Sequence, residues 1–181
     1  MLRKILPIIT LALGFILVLT SMYLVLKNRA SQNDPSAVPA QVNFPAPELT
    51  LTDIQGVARS LADYRGQVVL VNLWATWCPP CREEMPAIEK MYTEYKDEGF
   101  VVLAIDMTYQ DDVTAVQPFV EKYGLSFPVL LDETGTVGKA YQLKSLPSSY
   151  FINRDGIINE VVIGGPMSEA LLRIRIEDIL K

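Results

Sequence analysis

The chain has 181 residues and not one histidine. Histidine is the commonest metal ligand of proteins and the commonest general base of enzymes, so both roles must fall to other side chains. Cysteine is almost as scarce, with two in the whole chain. There is no internal repeat and no low-complexity tract, and the sequence indicates one globular domain behind an N-terminal extension.

Positive charge is also scarce once the first thirty residues are passed. From Ser31 onward there are 12 Lys and Arg residues against 21 Asp and Glu residues, a net charge of −9. Such an acidic surface argues against binding to nucleic acid and against electrostatic docking on anionic lipid. The sequence therefore predicts no nucleic-acid partner.

The N-terminal extension contains one long uncharged segment. Residues 5–26 carry no Asp, Glu, Lys or Arg, and as a helix they would span roughly 33 Å, enough for a bilayer core. We predict a transmembrane signal-anchor there, preceded by a short cytoplasmic N-terminus of residues 1–4. A cleaved signal peptide is the alternative, but its apolar region is usually shorter, and Asn28-Arg29-Ala30 is a poor cleavage site.

Residues 27–43 are polar and contain proline without a helical or strand period, so we predict a linker. Two basic residues lie on each side of the apolar segment, and the α-amino group adds positive charge to the N-terminal side, which favours an N-terminus inside the cell. Because disulfide chemistry belongs outside the cytosol, the two cysteines favour the same orientation. The predicted location is the cell membrane, single-pass, with the C-terminal domain extracytoplasmic.

Residues 44–181 are enough for one domain with one core. Strand patterns at 48–52 and 57–60 flank the turn Asp53-Ile54-Gln55-Gly56 and predict a hairpin. Strand and helix patterns then alternate before a closing β-hairpin and helix: strands 67–74, 100–106, 127–131, 148–153 and 157–163, helix 82–97, a helix capped by Asp111-Asp112 and ending at Tyr123, a short helix ending near Tyr141, and helix 169–180. This order predicts an α/β sheet covered on both faces.

Both cysteines stand in the segment Trp-Cys-Pro-Pro-Cys, residues 77–81, between a strand pattern and a helix pattern. This context places Cys78 at an exposed helix N-terminus, where free backbone N–H groups and the helix dipole favour an anion. A thiolate there becomes a nucleophile near neutral pH, and Cys81 lies within reach to close a disulfide with it. A four-residue loop gives little stabilisation by chain entropy, so we interpret the pair as a redox dithiol. A metal site would lack its third and fourth ligands, and neither a metal nor a cofactor is predicted.

Two further features bear on the chemistry of the dithiol. Pro79 and Pro80 have no N–H, which removes two donors that could stabilise the Cys78 thiolate and favours a more reducing couple. Glu84 lies three residues beyond Cys81, at the edge of the apolar stripe of the following helix. A carboxyl group partly buried near two thiols should have a raised pKa and can relay the Cys81 proton. The alternative is an ordinary acid in a first helical turn, where the dipole favours it.

The residues around the dithiol resemble a known family. Leu70 to Pro86, LVNLWATWCPPCREEMP, looks like the active-site segment of the thioredoxin fold and, more narrowly, of the TlpA/ResA-like membrane-anchored thiol-disulfide oxidoreductases. The likeness covers most of residues 44–181. It implies a thioredoxin-like fold with an N-terminal β-hairpin and an internal strand–helix insertion near 107–131. Thioredoxins place a buried aspartate at the position of Asn72, whereas Glu84 matches a glutamate of the ResA-like branch.

The resemblance implies a role for each candidate site residue. Cys78 would be the attacking thiol and Cys81 the resolving thiol, with Glu84 assisting proton transfer. Pro147 would be a cis proline facing the dithiol, and the backbone of Leu146 would pair with the substrate chain. The residues expected to shape the surface that docks the substrate are Trp77, Pro79 and Pro80.

The implied function is reduction of disulfides in exported proteins. The haem-site cysteines of apocytochrome c are the leading substrate, and another exported disulfide protein is the alternative. A membrane thiol relay resembling CcdA or DsbD would restore the dithiol. A thiol peroxidase stays open as a second function, although its pattern wants Thr at position 75, where this chain has Ala75 followed by Thr76. A metallochaperone that carries copper on the two sulfurs is the third.

Overall fold

The computed structural model describes residues 17–24 and 40–181. Residues 17–24 are helical and form α1. The predicted N-terminus at 1–4, and most of the predicted anchor and linker, lie outside the described residues. Among the residues that are described, no helix combines the length and the apolarity needed to cross a membrane.

A five-stranded sheet forms the centre of the domain. Its strands, and the two of the N-terminal hairpin, are β1 Thr50–Thr52, β2 Ala58–Ser60, β3 Val68–Trp74, β4 Phe100–Asp106, β5 Val129–Leu131, β6 Ser148–Ile152 and β7 Ile158–Ile163. The sheet has the order β5-β4-β3-β6-β7. β3, β4 and β5 are parallel, whereas β6 is antiparallel to both of its neighbours. The predicted hairpin of β1 and β2 is confirmed as a separate antiparallel pair.

Four helices surround this sheet: α2 Pro79–Tyr95, α3 Val113–Tyr123, α4 Thr136–Ala140 and α5 Glu169–Leu180. Short 3₁₀ turns lie at Leu61–Tyr64, Lys96–Glu98 and Thr108–Gln110. The predicted caps at Asp112 and Ser168 are confirmed, since each side chain accepts a hydrogen bond from a backbone N–H in the first helical turn. The alternation of strands and helices therefore produces the predicted α/β architecture.

The central strand β3 divides the core into two. Leu70 and Trp74 point to the face covered by α2, α3 and α5, whereas Val71 and Leu73 point to the face covered by the N-terminal hairpin and α4. All seven residues of β3 are buried, as expected for a central strand. Asn72 lies on the same side of the strand as Trp74, so its amide is directed into the layer below α2.

Two element boundaries differ from the sequence prediction. Helix α2 begins at Pro79 and not at residue 82, because proline is favoured in the first turn, where its missing N–H has no helical partner. Strand β5 begins at Val129 and not at residue 127, since Pro128 cannot donate to the ladder with β4. The earlier helix start makes Cys78 the N-cap itself.

The buried hydroxyl of Tyr141 links the segment before β1 to the core between the sheet and α4. Tyr141 Oη donates to the Pro47 carbonyl at 2.8 Å, and both residues are buried. Tyr141→Phe should lower the free energy of unfolding by about 1–3 kcal/mol because the carbonyl loses its donor. Urea unfolding of the oxidised protein measures this change.

The matched control is Tyr123→Phe. The Tyr123 ring packs 4.4 Å from that of Phe119, and among the described residues its hydroxyl has no hydrogen-bond partner. We expect a change within about 0.5 kcal/mol. Equal losses of unfolding free energy in the two variants would contradict the stabilising role of the hydrogen bond from Tyr141 to Pro47.

Candidate active site

The two cysteines are joined at the start of α2. Their Cα atoms lie 5.3 Å apart, and the Cys78 sulfur accepts a hydrogen bond from the Cys81 N–H at 3.4 Å. Cys78 is 3% exposed and Cys81 is fully buried. The expectation of an exposed helix tip is therefore wrong, because the surrounding loops rise around the sulfurs. A reacting partner reaches Cys78 through a groove.

This groove has a volume of about 390 Å³. It is lined by residues from three segments: Trp77, Cys78, Pro79, Pro80, Tyr109, Gln110, Leu143, Lys144, Ser145 and Leu146. Cys81 is not among them. The structure thus separates the two sulfurs, with one at the floor of the groove and the other behind it. Trp77 also lines the groove, and 54% of its surface is exposed.

Pro147 has the cis geometry that the family resemblance implies. The Leu146–Pro147 peptide bond is cis, and Pro147 is buried. The Pro147 carbonyl accepts a hydrogen bond from the Gly164 N–H at 2.8 Å. By contrast, Leu146 lines the groove, and within the described part of the chain its N–H and its C=O are both without a partner.

Glu84 is more deeply buried than the helical pattern indicates. It is fully buried, whereas its neighbour Glu83 is exposed. Its Oε1 accepts from the Asn72 amide at 2.9 Å, and its Oε2 accepts from the Met167 N–H at 3.0 Å. Burial raises the pKa of the Glu84 carboxyl above its ordinary value, although both hydrogen bonds oppose that change.

Asn72 connects this carboxyl group to the sheet. Its Nδ2 also donates to the Ser149 hydroxyl at 2.9 Å, across the β3–β6 pair. Its Oδ1 is buried and has no partner among the described residues. A rotated amide could offer Oδ1 to a protonated Glu84, so both protonation states of the acid can be accommodated.

Gly165 was not singled out by the sequence. A Cβ at this position would lie 2.7 Å from Cγ of Pro147 and 2.8 Å from Oε2 of Glu84. The chain passes so close to both groups that only glycine fits. A single glycine between strand and helix patterns gives no signal of this kind, because the contact depends on distant residues.

The remaining groove residues also escaped the sequence prediction. Tyr109 and Gln110 come from the turn after β4, and 143–145 from the loop before β6. Thr76, which stands one residue after the position where a peroxidase pattern wants Thr, donates its hydroxyl to Asp111 at 2.7 Å. These contacts join segments far apart in the chain, which local patterns do not reveal.

Gly165→Ala tests the close approach at Glu84 and Pro147. The added methyl group must displace a proline ring or a hydrogen-bonded carboxylate, so unfolding should become easier by about 1–3 kcal/mol. Disulfide exchange should slow at the same time. Melting of the oxidised protein and the rate of exchange measure the two effects. Asn159→Ala, at an exposed position on β7, should change neither, and an unaltered Gly165→Ala protein would contradict the argument.

Comparison with known proteins agrees with this site. The model of the AhpC/TSA family matches residues 42–161. The thiol-disulfide oxidoreductase ResA of Geobacillus kaustophilus is 36% identical over 132 residues, covering 73% of this chain and 75% of that protein. ResA of Halalkalibacterium halodurans is 39% identical over 133 residues, 74% of each chain.

Solved structures give the same result. A putative thiol:disulfide interchange protein DsbE from Chlorobium tepidum superposes with a TM-score of 0.72 at 29% identity, covering 78% of this chain and 99% of that one. StoA from Bacillus subtilis gives 0.62 at 28% identity, covering 73% and 97%. With its Cys78–Cys81 pair at the start of α2, the chain belongs to the AhpC/TSA family and, within it, to the ResA-like thiol-disulfide oxidoreductases of the thioredoxin fold.

Proposed function

We propose that this thiol-disulfide oxidoreductase reduces disulfides of exported proteins. The observation that carries the proposal is the unequal placement of the two sulfurs, since Cys78 lines the groove and Cys81 lies behind it. A substrate sulfur can approach the first, whereas only Cys78 itself approaches the second. This asymmetry gives Cys78 the role of attacking thiol and Cys81 that of resolving thiol.

The reaction then has two exchange steps. The Cys78 thiolate attacks one sulfur of the substrate disulfide, forming a mixed disulfide and releasing the other sulfur as a thiolate. The substrate chain meanwhile pairs with the free backbone groups of Leu146, beside Pro147. Cys81 loses its proton and attacks the Cys78 sulfur, which closes the protein disulfide and releases the second substrate sulfur. Two electrons pass from the protein to the substrate, whose two thiolates each take up a proton.

Glu84 is proposed as the acceptor of the Cys81 proton. It lies one helical turn beyond Cys81, and burial raises the pKa of its carboxyl toward the range where proton exchange with a thiol is efficient. Its hydrogen bonds to Asn72 and to the Met167 N–H hold the carboxyl in place. Docking of the substrate is proposed for Trp77, Pro79 and Pro80, which line the mouth of the groove.

The setting of the reaction belongs to the same proposal. We place a single membrane anchor at residues 5–26, a linker at 27–43 and the catalytic domain outside the cytoplasm. A membrane thiol relay of the CcdA or DsbD type would return electrons to the dithiol. The haem-site cysteines of apocytochrome c are the proposed substrate, with another exported disulfide protein as the alternative. The similarity to ResA and DsbE proteins supports this setting.

Trapping tests the assignment of the two thiols. In the full chain, Cys81→Ala should accumulate a mixed disulfide between Cys78 and the physiological substrate, because the resolving attack is removed. Non-reducing electrophoresis of cell membranes followed by mass spectrometry identifies the partner and the linked cysteine. A haem-site peptide in the adduct would support apocytochrome c.

The control for trapping is Cys78→Ala, which keeps the buried sulfur alone. It should give no adduct, since Cys81 does not line the groove. Equal adduct formation by the two variants would contradict the order of attack. Failure of the reduced wild-type protein to exchange with any disulfide would overturn the proposed function as a whole.

Glu84→Gln tests the proton acceptor. The resolving step should slow by about 10²-fold, a typical contribution of general acid–base catalysis. Because the pKa of Glu84 is raised, its base form appears only as the pH passes that raised value, so the wild-type rate should increase through this range. The variant should lack that increase.

Stopped-flow measurement of the decay of the mixed disulfide, from pH 4 to 9, provides the profile. Glu83→Gln is the matched control, since it changes an exposed acid in the same helical turn. Its profile should follow the wild type. A wild-type profile in Glu84→Gln would show that the buried acid has only a structural role.

A further inference from the structure

The turn that follows β4 is hydrogen-bonded directly to residues 75–78, which connect β3 to α2 and are called the redox loop below. Asp111 accepts two hydrogen bonds from Thr76, one from its backbone N–H at 2.5 Å and one from its hydroxyl at 2.7 Å. The Gln110 carbonyl accepts from the indole N–H of Trp77 at 3.1 Å. Three hydrogen bonds thus fix the two residues that immediately precede Cys78.

We propose that Asp111 is a positioning residue for substrate binding, which holds the Thr76–Trp77 segment so that the indole forms one wall of the groove over Cys78. This inference rests on the proposed function, because it concerns the affinity of the same groove for a polypeptide disulfide. The turn from Met107 to Asp111 acts as a clamp on the redox loop. No hydrogen bond joins residues 107–111 to the sulfur of Cys78 or Cys81.

The clamp is itself rigidly held. The Met107 N–H donates to the Trp74 carbonyl at 3.0 Å, and the Tyr109 N–H donates to the Asp132 carbonyl at 3.1 Å. The Tyr109 ring lies against Gly135, where a Cβ would come within 3.3 Å of it. These contacts fix the turn relative to the sheet, and the turn, through its own hydrogen bonds, fixes the redox loop.

The same turn supplies the facing wall of the groove. Tyr109 is 48% exposed and lines the groove, as does Trp77, which is 54% exposed. A side chain with half its surface in water, such as that of Trp77, has little packing to fix its rotamer. The hydrogen bond to Gln110 therefore decides the orientation of the Trp77 indole. Loss of the clamp would leave the Cys78 sulfur able to react, but the Trp77 side chain, which forms one wall of the groove, would be free to move.

A second acid lies beneath the clamp. Asp106 is fully buried at the end of β4, where its Oδ1 accepts from the Thr108 hydroxyl at 2.9 Å and its Oδ2 has no partner among the described residues. Burial and the nearby charge of Asp111 raise the pKa of Asp106 to about 8. Asp106 is therefore mainly in its neutral form at pH 7.

The other groups around Asp106 do not compensate a second negative charge. Asp132 bonds to Asp106 through the backbone, since the Asp132 N–H donates to the Asp106 carbonyl at 2.9 Å. The Asp132 side chain is bonded elsewhere, because its Oδ2 accepts from the Gly138 N–H. Trp74, the register partner of Asp106 on β3, carries no charge; its buried indole N–H has no partner among the described residues, and its ring lies 4.7 Å from that of Phe119. Above about pH 8 the ionised Asp106 should repel Asp111 and weaken the clamp.

The experiment compares two disulfides that differ in their need for the groove. Reduced protein is mixed with an oxidised synthetic peptide carrying a Cys-Ala-Ala-Cys disulfide, or with hydroxyethyl disulfide, and the second-order rates are measured by acid quench and mass spectrometry. Asp111→Ala should lower the peptide rate about tenfold, the effect of losing a hydrogen bond to a charged group. The rate with hydroxyethyl disulfide should stay within about twofold.

Two further variants keep the test open if Asp111→Ala fails to fold. Thr76→Val removes the hydroxyl donor, and Trp77→Phe removes the indole donor while keeping an aromatic ring. Both should lower the ratio of peptide rate to small-disulfide rate, and the Asp111→Ala/Trp77→Phe double variant should lose less than the two single losses combined. Glu98→Ala, an exposed acid beyond the other end of β4, is the control.

The pH dependence gives a readout that a merely structural role would not move. In the wild type the rate ratio should fall above about pH 8, and in Asp106→Asn it should not. Equal losses with both disulfides, additive double variants, or a ratio that is independent of pH in both proteins would overturn the proposal. Inactivity of the wild type with both disulfides would instead overturn the proposed function.

Discussion

The buried carboxyl of Glu84 connects the parts of the active site. It reaches β3 through Asn72, the loop before α5 through the Met167 N–H, and the cis Pro147 through their shared contact with Gly165. Burying a carboxyl group is unfavourable unless its oxygens are hydrogen-bonded, and here each oxygen has a donor. The two hydrogen bonds that satisfy the acid, together with the close approach of Gly165 to Glu84 and Pro147, therefore set the distance between the dithiol helix and the proline loop.

The strands and helices of the domain were largely predictable because each carries a strong local pattern. The continuous apolar run of β3 and the caps at Asp112 and Ser168 led to the correct elements. Errors arose where proline changes a boundary, as at Pro79 and Pro128, because a proline shifts the hydrogen bonding of its neighbours without altering the hydrophobic period. The fold was thus predictable to within a turn.

The active site was predictable only where a motif carries it. The dithiol follows from its motif, Glu84 from the helical pattern and the family resemblance, and Pro147 from that resemblance, but the burial of Cys78 to 3% exposure follows from none of them. That burial results from loops that approach from distant positions, as Gly165 does. The bond between Asp111 and Thr76 joins residues separated by 35 positions, and a pattern of local periodicity contains no information about such a pair.

The direction of electron flow depends on how well the protein stabilises the Cys78 thiolate. A helix N-terminus usually offers several N–H groups, but the first two positions here are Pro79 and Pro80, and the Cys81 N–H is the donor that reaches the sulfur. Of the described residues that line the groove, Lys144 alone is cationic, and it is exposed, so water and salt screen its charge. A thiolate with so little support holds its electrons less tightly, and we therefore expect a reducing couple.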